Sequence, residues 1–593
     1  MAAYMDSRII PRIVRGAAVF FKTSAFCIGL SLADYGAASG KESLPARTGF
    51  LVIAPDRGFL GNQETRELFA EFKSTHPAAL AFAGREYAGT GGDYSGYLTQ
   101  AIEELGRNGI SDIVAIPLFL SAEDPWLKKA AARLAGKVRF APSMAQSHLT
   151  AQILLDRTAA LSCDPAQERL VIVGSGAIDE PGELAMRSEL ERLGSYVIRY
   201  LSFKEVRVGV YYGREAEAEL QSRKNQAVDD LVMRTAAKKG RTLVIPFFIG
   251  AKYDSHMSAV NGLKEKFAEF DIAWDGQEIL PHPNALLFLK KTANNHLPPT
   301  PDKVGIVIMP HGATQPYNDA VEQVVAPLRS RYRIEMAYGM ADPATISRAV
   351  SRLEQQGAGH IVFVRMYALS PQMKAASDYI LGLSDVPPGQ GHDHGDAHDP
   401  ADAAPPSQVR SAAVFSTFGG YEENPAIAGI LYERITEVSK TPQQETVIVL
   451  AHGSERDEDD EKWRTVINGH IERLRARREQ ASDLPRFRGI HAATIREDWP
   501  EKREQAIARL KEMIRQGNRD GGRTLLISHR LYGGGPYRSF LKGEEFTMND
   551  KGFAPHPVLT RWLERGIANA IRDMKDMKPQ THRINDSKEK HHE

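Results

Sequence analysis

Residues 304–313 read VGIVIMPHGA, and residues 446–455 read TVIVLAHGSE. Each stretch is an apolar run that ends at a His-Gly pair. Two further runs have the same form without the histidine: LVIAPDRG from Leu51 and LVIVGSGA from Leu170. Runs rich in Val, Ile and Leu are typical of parallel strands that are buried on both faces. Four such strands, spaced by about 120 to 140 residues, predict one structural unit that is used four times.

Each run is followed by the same two signatures in the same order. One is a second apolar strand, and the other is a turn that opens an amphipathic helix. The second strands are SDIVAIPLFLS from Ser111, RTLVIPFFIG from Arg241, HIVFVRMYALS from His360 and RTLLISHRLYGGG from Arg523. Strands that alternate with helices predict an α/β fold of doubly wound units with parallel sheets. Such sheets bind ligands beyond the carboxyl ends of their strands, where these turns lie.

The pattern divides the chain into four repeats. We predict repeat one at residues 48–164, repeat two at 168–297, repeat three at 302–441 and repeat four at 444–575. Repeat three includes a His-rich linker at 391–399, and a polar segment without periodicity at 576–593 is predicted to be a disordered tail.

The first forty residues have the composition of a secretory signal peptide. A basic start is followed by the apolar stretch Ser24–Ala33 and by small residues, with cleavage expected near Ala38 or Gly40. This apolar stretch is too short to span ~30 Å of hydrocarbon, so we predict no transmembrane helix in the mature chain. We predict a periplasmic or exported protein, with a cytoplasmic location as the alternative. The 75 Lys and Arg residues balance 75 Asp and Glu residues, which argues against nucleic-acid binding.

The three signatures resemble those of the CbiX-type sirohydrochlorin chelatases, in the class II chelatase superfamily. The match is clearest in IVIMPHGATQPYNDAVEQ from Ile306 and PHPVLTRWLERGI from Pro555, and it extends over residues 48–575. The resemblance implies two pseudo-symmetric modules, residues 48–297 and 302–575. In each, two repeats would form an intramolecular pseudo-dimer whose cleft holds a tetrapyrrole.

The resemblance makes His311 the metal-handling histidine, and internal symmetry makes His452 its partner. An imidazole can act as a base near neutral pH, and its neutral form binds Fe, Co, Ni or Zn. The family's second histidine is replaced by Lys374 in repeat three and by Pro536 in repeat four. Lys374 can instead hold a carboxylate of an acidic tetrapyrrole.

Other histidines are assigned to different roles. Three of them lie in a short tract interleaved with aspartates that is suited to binding divalent metals, although a solvated linker is the alternative: His392, His394 and His398. We interpret His529 as a core or edge residue. Three histidines of the closing turns are interpreted as turn and cap residues: His148, His282 and His556. Pro55 and Ser175 stand where repeats one and two would carry the metal-handling histidine, so the first module is predicted to be catalytically silent.

The resemblance implies a tetrapyrrole chelatase-like protein, a lyase if active, that inserts Co²⁺ or Fe²⁺ into a sirohydrochlorin-type substrate. Ni²⁺ is a further candidate metal. The alternative is an exported, non-catalytic protein that binds metal or tetrapyrrole on a degenerate chelatase fold. No nucleotide cofactor is predicted, because neither GxGxxG nor GxxxxGK[ST] follows any of these strands.

Overall fold

The structure is a computed structural model that describes residues 47–84, 94–249, 259–274, 277–367, 371–388, 404–421, 424–480 and 486–577. The predicted signal peptide, the His-rich tract 391–399 and residues 578–593 of the predicted tail therefore lie outside the described residues. In the described ranges, no helix is both long and apolar enough to cross a membrane.

Four parallel sheets of four strands each form the framework of the described chain. In chain order the strands are β1 Thr48–Pro55, β2 Ala78–Ala83, β3 Asp112–Pro117, β4 Arg139–Phe140, β5 Arg169–Ala177, β6 Glu205–Tyr212, β7 Thr242–Pro246, β8 Ile272–Trp274, β9 Val304–Pro310, β10 Arg333–Met336, β11 His360–Met366, β12 Val414–Gly419, β13 Glu445–Ala451, β14 Gly489–Thr494, β15 Arg523–Ser528 and β16 Thr547–Asn549. The first sheet has the order β2-β1-β3-β4, and the other three repeat that order. The predicted α/β class with parallel sheets is confirmed.

Helices connect the strands throughout, as parallel pairing requires. They are α1 Gly58–Lys73, α2 Tyr94–Arg107, α3 Pro125–Leu134, α4 His148–Leu161, α5 Glu180–Val197, α6 Ala218–Ala236, α7 Ala259–Lys266, α8 Pro283–Asn295, α9 Gln315–Val325, α10 Pro343–Gln355, α11 Pro371–Ile380, α12 Pro425–Thr436, α13 Asp457–Gln480, α14 Pro500–Gly517, α15 Tyr537–Phe540 and α16 Pro557–Asp576.

The central strand of each sheet is buried on both faces. Along β9, Ile306 and Ile308 belong to one core cluster, whereas Val307 and Met309 belong to another. Successive side chains of a strand point to opposite faces of the sheet, which explains this division. Alternate residues of the apolar run therefore point to opposite faces of the sheet, and helices cover both faces.

Neighbouring repeats share a core. Ile306 of β9 and Val447 of β13 belong to one cluster, together with residues of α9, α12, α13 and α16. Val52 of β1 and Ile172 of β5 are combined in the same way with residues of α1, α4, α5 and α8. The sheets of repeats one and two thus pack through a common helical layer, and so do those of repeats three and four. We call these the first pair and the second pair.

The two pairs contact each other through buried polar groups. Lys291 Nζ of α8 donates a hydrogen bond to the Ala413 carbonyl, 2.6 Å away, and lies 4.8 Å from the centre of the Phe415 ring. Burial lowers the pKa of Lys291 to about 8. Gln152 Nε2 of α4 donates to the Gln408 carbonyl at 2.9 Å. The segment that leads into β12 is therefore fixed against the first pair.

We predict that Gly566→Ala lowers the thermal unfolding midpoint, although alanine favours a helix over glycine by about 1 kcal/mol. Gly566 lies in α16, and an added methyl group would overlap the ring of Phe418 in β12. Overpacking of this kind costs about 1–3 kcal/mol. Circular dichroism during heating measures the midpoint.

Gly106→Ala is the matched control, because Gly106 lies in α2 with open space around it. We expect its midpoint to equal or exceed that of the wild-type protein. A Gly566→Ala protein as stable as the control would contradict the described contact between α16 and β12.

Candidate functional site at the ends of β9 and β13

The two His-Gly pairs lie directly after central strands. His311 follows β9 and His452 follows β13, so both are at carboxyl ends of parallel strands. His311 Nδ1 is 2.7 Å from the carbonyl oxygen of Gly312, and His452 Nδ1 is 2.8 Å from that of Gly453. A carbonyl oxygen only accepts hydrogen bonds, so Nδ1 donates in both rings. This contact leaves the Nε2 atom of each ring as the one that can bind a metal ion.

Glycine is required in both turns. Gly312 has a φ of 76° and Gly453 a φ of 85°, a region that residues with a side chain rarely adopt. A Cβ atom on Gly312 would lie 3.0 Å from Tyr338 Cβ, and one on Gly453 would lie 3.0 Å from Arg496 Cγ. The conformation and the close packing together explain why a glycine follows each histidine.

Two carboxylates surround His452. They belong to the loop after β14, where Glu497 and Asp498 precede Trp499. His452 Nε2 is 2.8 Å from Asp498 Oδ2 and 3.4 Å from Glu497 Oε1. In the described part of the chain, these three residues form a group whose possible ligand atoms all lie within 4.8 Å of one another. The Trp499 ring stands edge-on to the imidazole, with ring centres 5.6 Å apart.

The three facing atoms of this group are all hydrogen-bond acceptors when the imidazole is neutral. Nδ1 of His452 already donates to the Gly453 carbonyl, so a neutral ring presents its Nε2 lone pair to two carboxylate oxygens. Three acceptors at hydrogen-bonding distance repel one another. One proton shared within the group relieves this repulsion, and so does a divalent metal ion. Imidazole nitrogen and carboxylate oxygen are both ligands that Fe²⁺ and Co²⁺ accept.

Arg530 is the counter-ion of Glu497. Its Nη1 atom lies 2.8 Å from both carboxylate oxygens of Glu497, and its side chain is 29% exposed. Its guanidinium carbon is 6.0 Å from the centre of the Tyr537 ring. Arg530 follows β15 by two positions, so the second strand signature of repeat four also contributes to this site.

Tyrosines connect the two histidine turns. The backbone of His311 and Gly312 forms hydrogen bonds with the hydroxyl of Tyr317, and burial raises the pKa of this tyrosine. The Tyr317 ring meets that of Tyr532 edge to face, with centres 6.3 Å apart, and Arg530 acts electrostatically on Tyr317. The His311 turn of repeat three thus lies close to the loop after β15, which carries Arg530, the counter-ion of Glu497.

The predicted site residues therefore differ in their surroundings. Among the contacts of the described residues, His311 and His452 share no hydrogen bond, and the residues between them are tyrosines and Arg530. The ring of His311 is exposed and lies 6.3 Å from the ring of Tyr367. Lys374 forms an ion pair with Asp378 one turn further along α11, and its side chain is 56% exposed.

The closing-turn histidines 282 and 556 cap helices, as predicted. Nδ1 of His282 accepts a hydrogen bond from Asn284 N at the start of α8, and Nδ1 of His556 accepts one from Val558 N at the start of α16. His148 differs, because Ser147 caps α4 and the buried His148 ring contacts the Val409 carbonyl at 3.3 Å. Its role is to pack the first pair against the second.

Among the described residues, the equivalent turns of the first pair line a small cavity. Pro55 and Ser175, which replace the histidines, line the same space of about 20 Å³ together with Arg57 and Asp124. Burial raises the pKa of Asp124 to about 6. Such a volume holds roughly one water molecule, whereas ligand pockets measure about 300–1,000 Å³. In this conformation the cavity does not accommodate a macrocycle.

Sequence reasoning missed Glu497, Asp498 and Arg530. The first two follow β14, which ends without the glycine-rich turn that marks the histidines. A signal is nevertheless present in ATIREDWP (residues 493–500), where three consecutive charged residues lie between the end of a strand and a proline that begins a helix.

No protein-family model and no curated protein matches the chain. Among solved structures, one match is DR2241 from Deinococcus radiodurans, described as a multi-domain protein with structural similarity to chelatases and two additional novel domains. The sequence identity is 14% and the TM-score is 0.28, over 45% of this chain and 55% of that one. The match thus spans about half of DR2241.

We predict that the buried His529 makes repeat four sensitive to acid. Burial lowers the pKa of His529 to about 3, whereas an unfolded histidine titrates near pH 6.5. Between these pH values the unfolded chain binds about one more proton at this residue. The free energy of unfolding therefore falls as the pH falls, by about 1.4 kcal/mol per pH unit.

Urea denaturation at pH 7 and pH 5 measures this effect, with His529→Leu as the comparison. We expect the wild-type protein to lose more stability than the variant over this interval, by about 2 kcal/mol. An identical pH dependence of the two proteins would contradict the neutral, buried state of His529.

Proposed function

We propose that this protein is a tetrapyrrole chelatase that inserts Co²⁺ or Fe²⁺ into an acidic macrocycle of the sirohydrochlorin type. The site lies at the carboxyl ends of β9 and β13 in the second pair, and His452 handles the metal ion together with Glu497 and Asp498. The observation that carries the proposal is the convergence of one imidazole nitrogen and two carboxylates at the end of β13. The motif resemblance supplies the substrate class.

The charges of the group suit metal delivery. A divalent cation on His452 Nε2 and the two carboxylates would neutralise the excess of acceptors in place of a proton. Metal insertion also requires that two pyrrole N–H protons leave. The Asp498 carboxylate, whose side chain is 53% exposed, would accept one of them, and solvent water at this exposed site would accept the other. Mixed nitrogen and oxygen ligands bind Co²⁺ and Fe²⁺ without enclosing them, which suits a metal that has to leave.

The residues between the two turns suit an acidic, planar substrate. Tyr317 and Tyr532 offer aromatic surface, and Arg530 is a fixed cation that can pair with a substrate carboxylate. A metal ion that binds Glu497 would compete with Arg530 for that carboxylate. The guanidinium would then be available to the substrate.

The second candidate is a non-catalytic protein that binds metal or tetrapyrrole. It is favoured by the surroundings of His311 and Lys374. The described contacts of the His311 ring are to a backbone carbonyl and to Tyr367, and Lys374 is paired with Asp378. A cleft with metal ligands concentrated on one wall can hold a metal complex without accelerating its formation.

We predict that His452→Ala abolishes metal insertion. Anaerobic spectral titration of the full-length protein with sirohydrochlorin and Co²⁺ measures the rate of insertion. We expect the wild-type rate to exceed the spontaneous rate, and the variant to fall to it. We expect His311→Ala to reduce the insertion rate less, since no pair of carboxylates lies beside His311 in the described structure.

His491→Ala is the matched control, because His491 is an exposed histidine of the same repeat. It should insert Co²⁺ at the wild-type rate. Pigment binding without acceleration by the wild-type protein would replace the chelatase proposal with the binding one. Unchanged insertion by His452→Ala would remove the role of this residue.

We further predict that Glu497→Gln weakens Co²⁺ binding more than Asp498→Asn does. The Glu497 side chain is 11% exposed and that of Asp498 is 53% exposed, so water replaces the lost ligand more readily at Asp498. Isothermal titration calorimetry without the tetrapyrrole should give a loss of about 100-fold for Glu497→Gln, equivalent to roughly 3 kcal/mol. The reverse order would assign the stronger ligand to Asp498.

A further inference from the structure

We propose that Arg496 is a positioning residue, which holds the Glu497–Asp498 loop against the His452 turn in the arrangement that receives a metal ion. This inference rests on the proposed metal site. Arg496 itself is not a ligand, because a guanidinium is always protonated at physiological pH.

The backbone of Arg496 adopts a conformation that is unfavourable for arginine. Its φ is 56°, in the left-handed region that crowds a Cβ atom against the backbone. The residue is only 9% exposed, so this conformation is maintained inside the protein. A non-glycine residue stays in this region only where its surroundings offset the strain, and such positions cluster at functional sites.

Hydrogen bonds from Arg496 to the His452 turn provide that offset. The Arg496 amide donates to the carbonyl of His452 at 2.7 Å. Its Nε donates to the Ser454 carbonyl at 2.6 Å, its Nη1 to Asp457 Oδ1 at 2.5 Å, and its Nη2 to the Glu455 carbonyl. The Arg496 side chain thus forms hydrogen bonds with three residues of the segment that follows His452, at positions 454, 455 and 457.

Only arginine can make this set of contacts. The acceptors lie on residues 454, 455 and 457, and the guanidinium presents N–H donors in several fixed directions. A lysine ammonium is a single point of charge and cannot reach all three acceptors. Glu497 and Asp498 directly follow Arg496. Fixing the backbone of Arg496 therefore also fixes the backbone positions from which these two side chains extend.

Repeat three provides an internal comparison. Arg496 is the second residue after β14, and Tyr338 is the second residue after β10. Both pack against the glycine of the His-Gly turn. The residues after Tyr338 are Gly339 and Met340, so repeat three has neither the arginine nor the carboxylates. Of these two turns, the one that has the carboxylates beside its histidine is therefore also the one that has the hydrogen-bonded arginine.

The test is Co²⁺ affinity of the full-length Arg496→Gly and Arg496→Lys proteins, measured by calorimetry and by the visible spectrum of bound Co²⁺. Glycine tolerates the positive φ but makes none of the side-chain contacts. Lysine keeps the positive charge but lacks the fixed set of N–H donors of the guanidinium. We expect both variants to bind Co²⁺ about 10- to 100-fold more weakly than the wild-type protein, as for other residues that orient ligands. Their Co²⁺ spectra should also change.

Two control variants separate positioning from general stability. Asp520→Gly replaces another residue with a φ of 56°, at an exposed site of the same repeat, and Gly566→Ala is destabilising but distant from the ligands. Both should keep the wild-type Co²⁺ affinity. A wild-type Co²⁺ affinity and spectrum in Arg496→Gly and Arg496→Lys would overturn the inference about Arg496. If His452→Ala still weakened Co²⁺ binding in that case, the proposed metal site would stand without it. Absence of Co²⁺ binding by the wild-type protein would overturn both proposals.

Discussion

The burial of each central strand on both faces is the constraint on which the rest of the structure depends. It requires helices on both sides of every sheet, an arrangement typical of parallel sheets, in which the carboxyl ends of the strands lie at one edge. In the second pair, these edges carry the turns of His311 and His452 and the loop of Glu497. The shared core, which includes Ile306 and Val447, holds the two sheets together. The positions of these residues are thus a consequence of strand packing.

The fold could be predicted from the sequence because the signal was repeated. Four apolar runs and their second strands gave the parallel sheets, and the PHP turns at His282 and His556 gave helix caps. The site could be predicted only in part. The positions of the histidines follow from strand ends, whereas the approach of Glu497 to His452 depends on a turn whose geometry is set by Arg496. No local pattern encodes a hydrogen bond between residues 42 positions apart.

The structure favours His452 over His311 as the metal-binding histidine. The motif resemblance favours His311, whose turn is most similar to that of the chelatases. In the described structure, the two carboxylates instead lie beside His452, and Arg530 pairs with one of them, Glu497. The repeats have diverged further in the first pair, where Pro55 and Ser175 line a cavity that holds roughly one water molecule. Four copies of one fold therefore carry different chemical groups at the same edge of the sheet.

Binding of a divalent metal ion at His452 can be tested by anomalous diffraction from crystals of the full-length protein grown with Co²⁺. We expect a cobalt peak within bonding distance of His452 Nε2 and of a carboxylate oxygen of Glu497 or Asp498. Cobalt bound at His311 without His452, or no cobalt at the ends of β9 and β13, would contradict the proposed metal site.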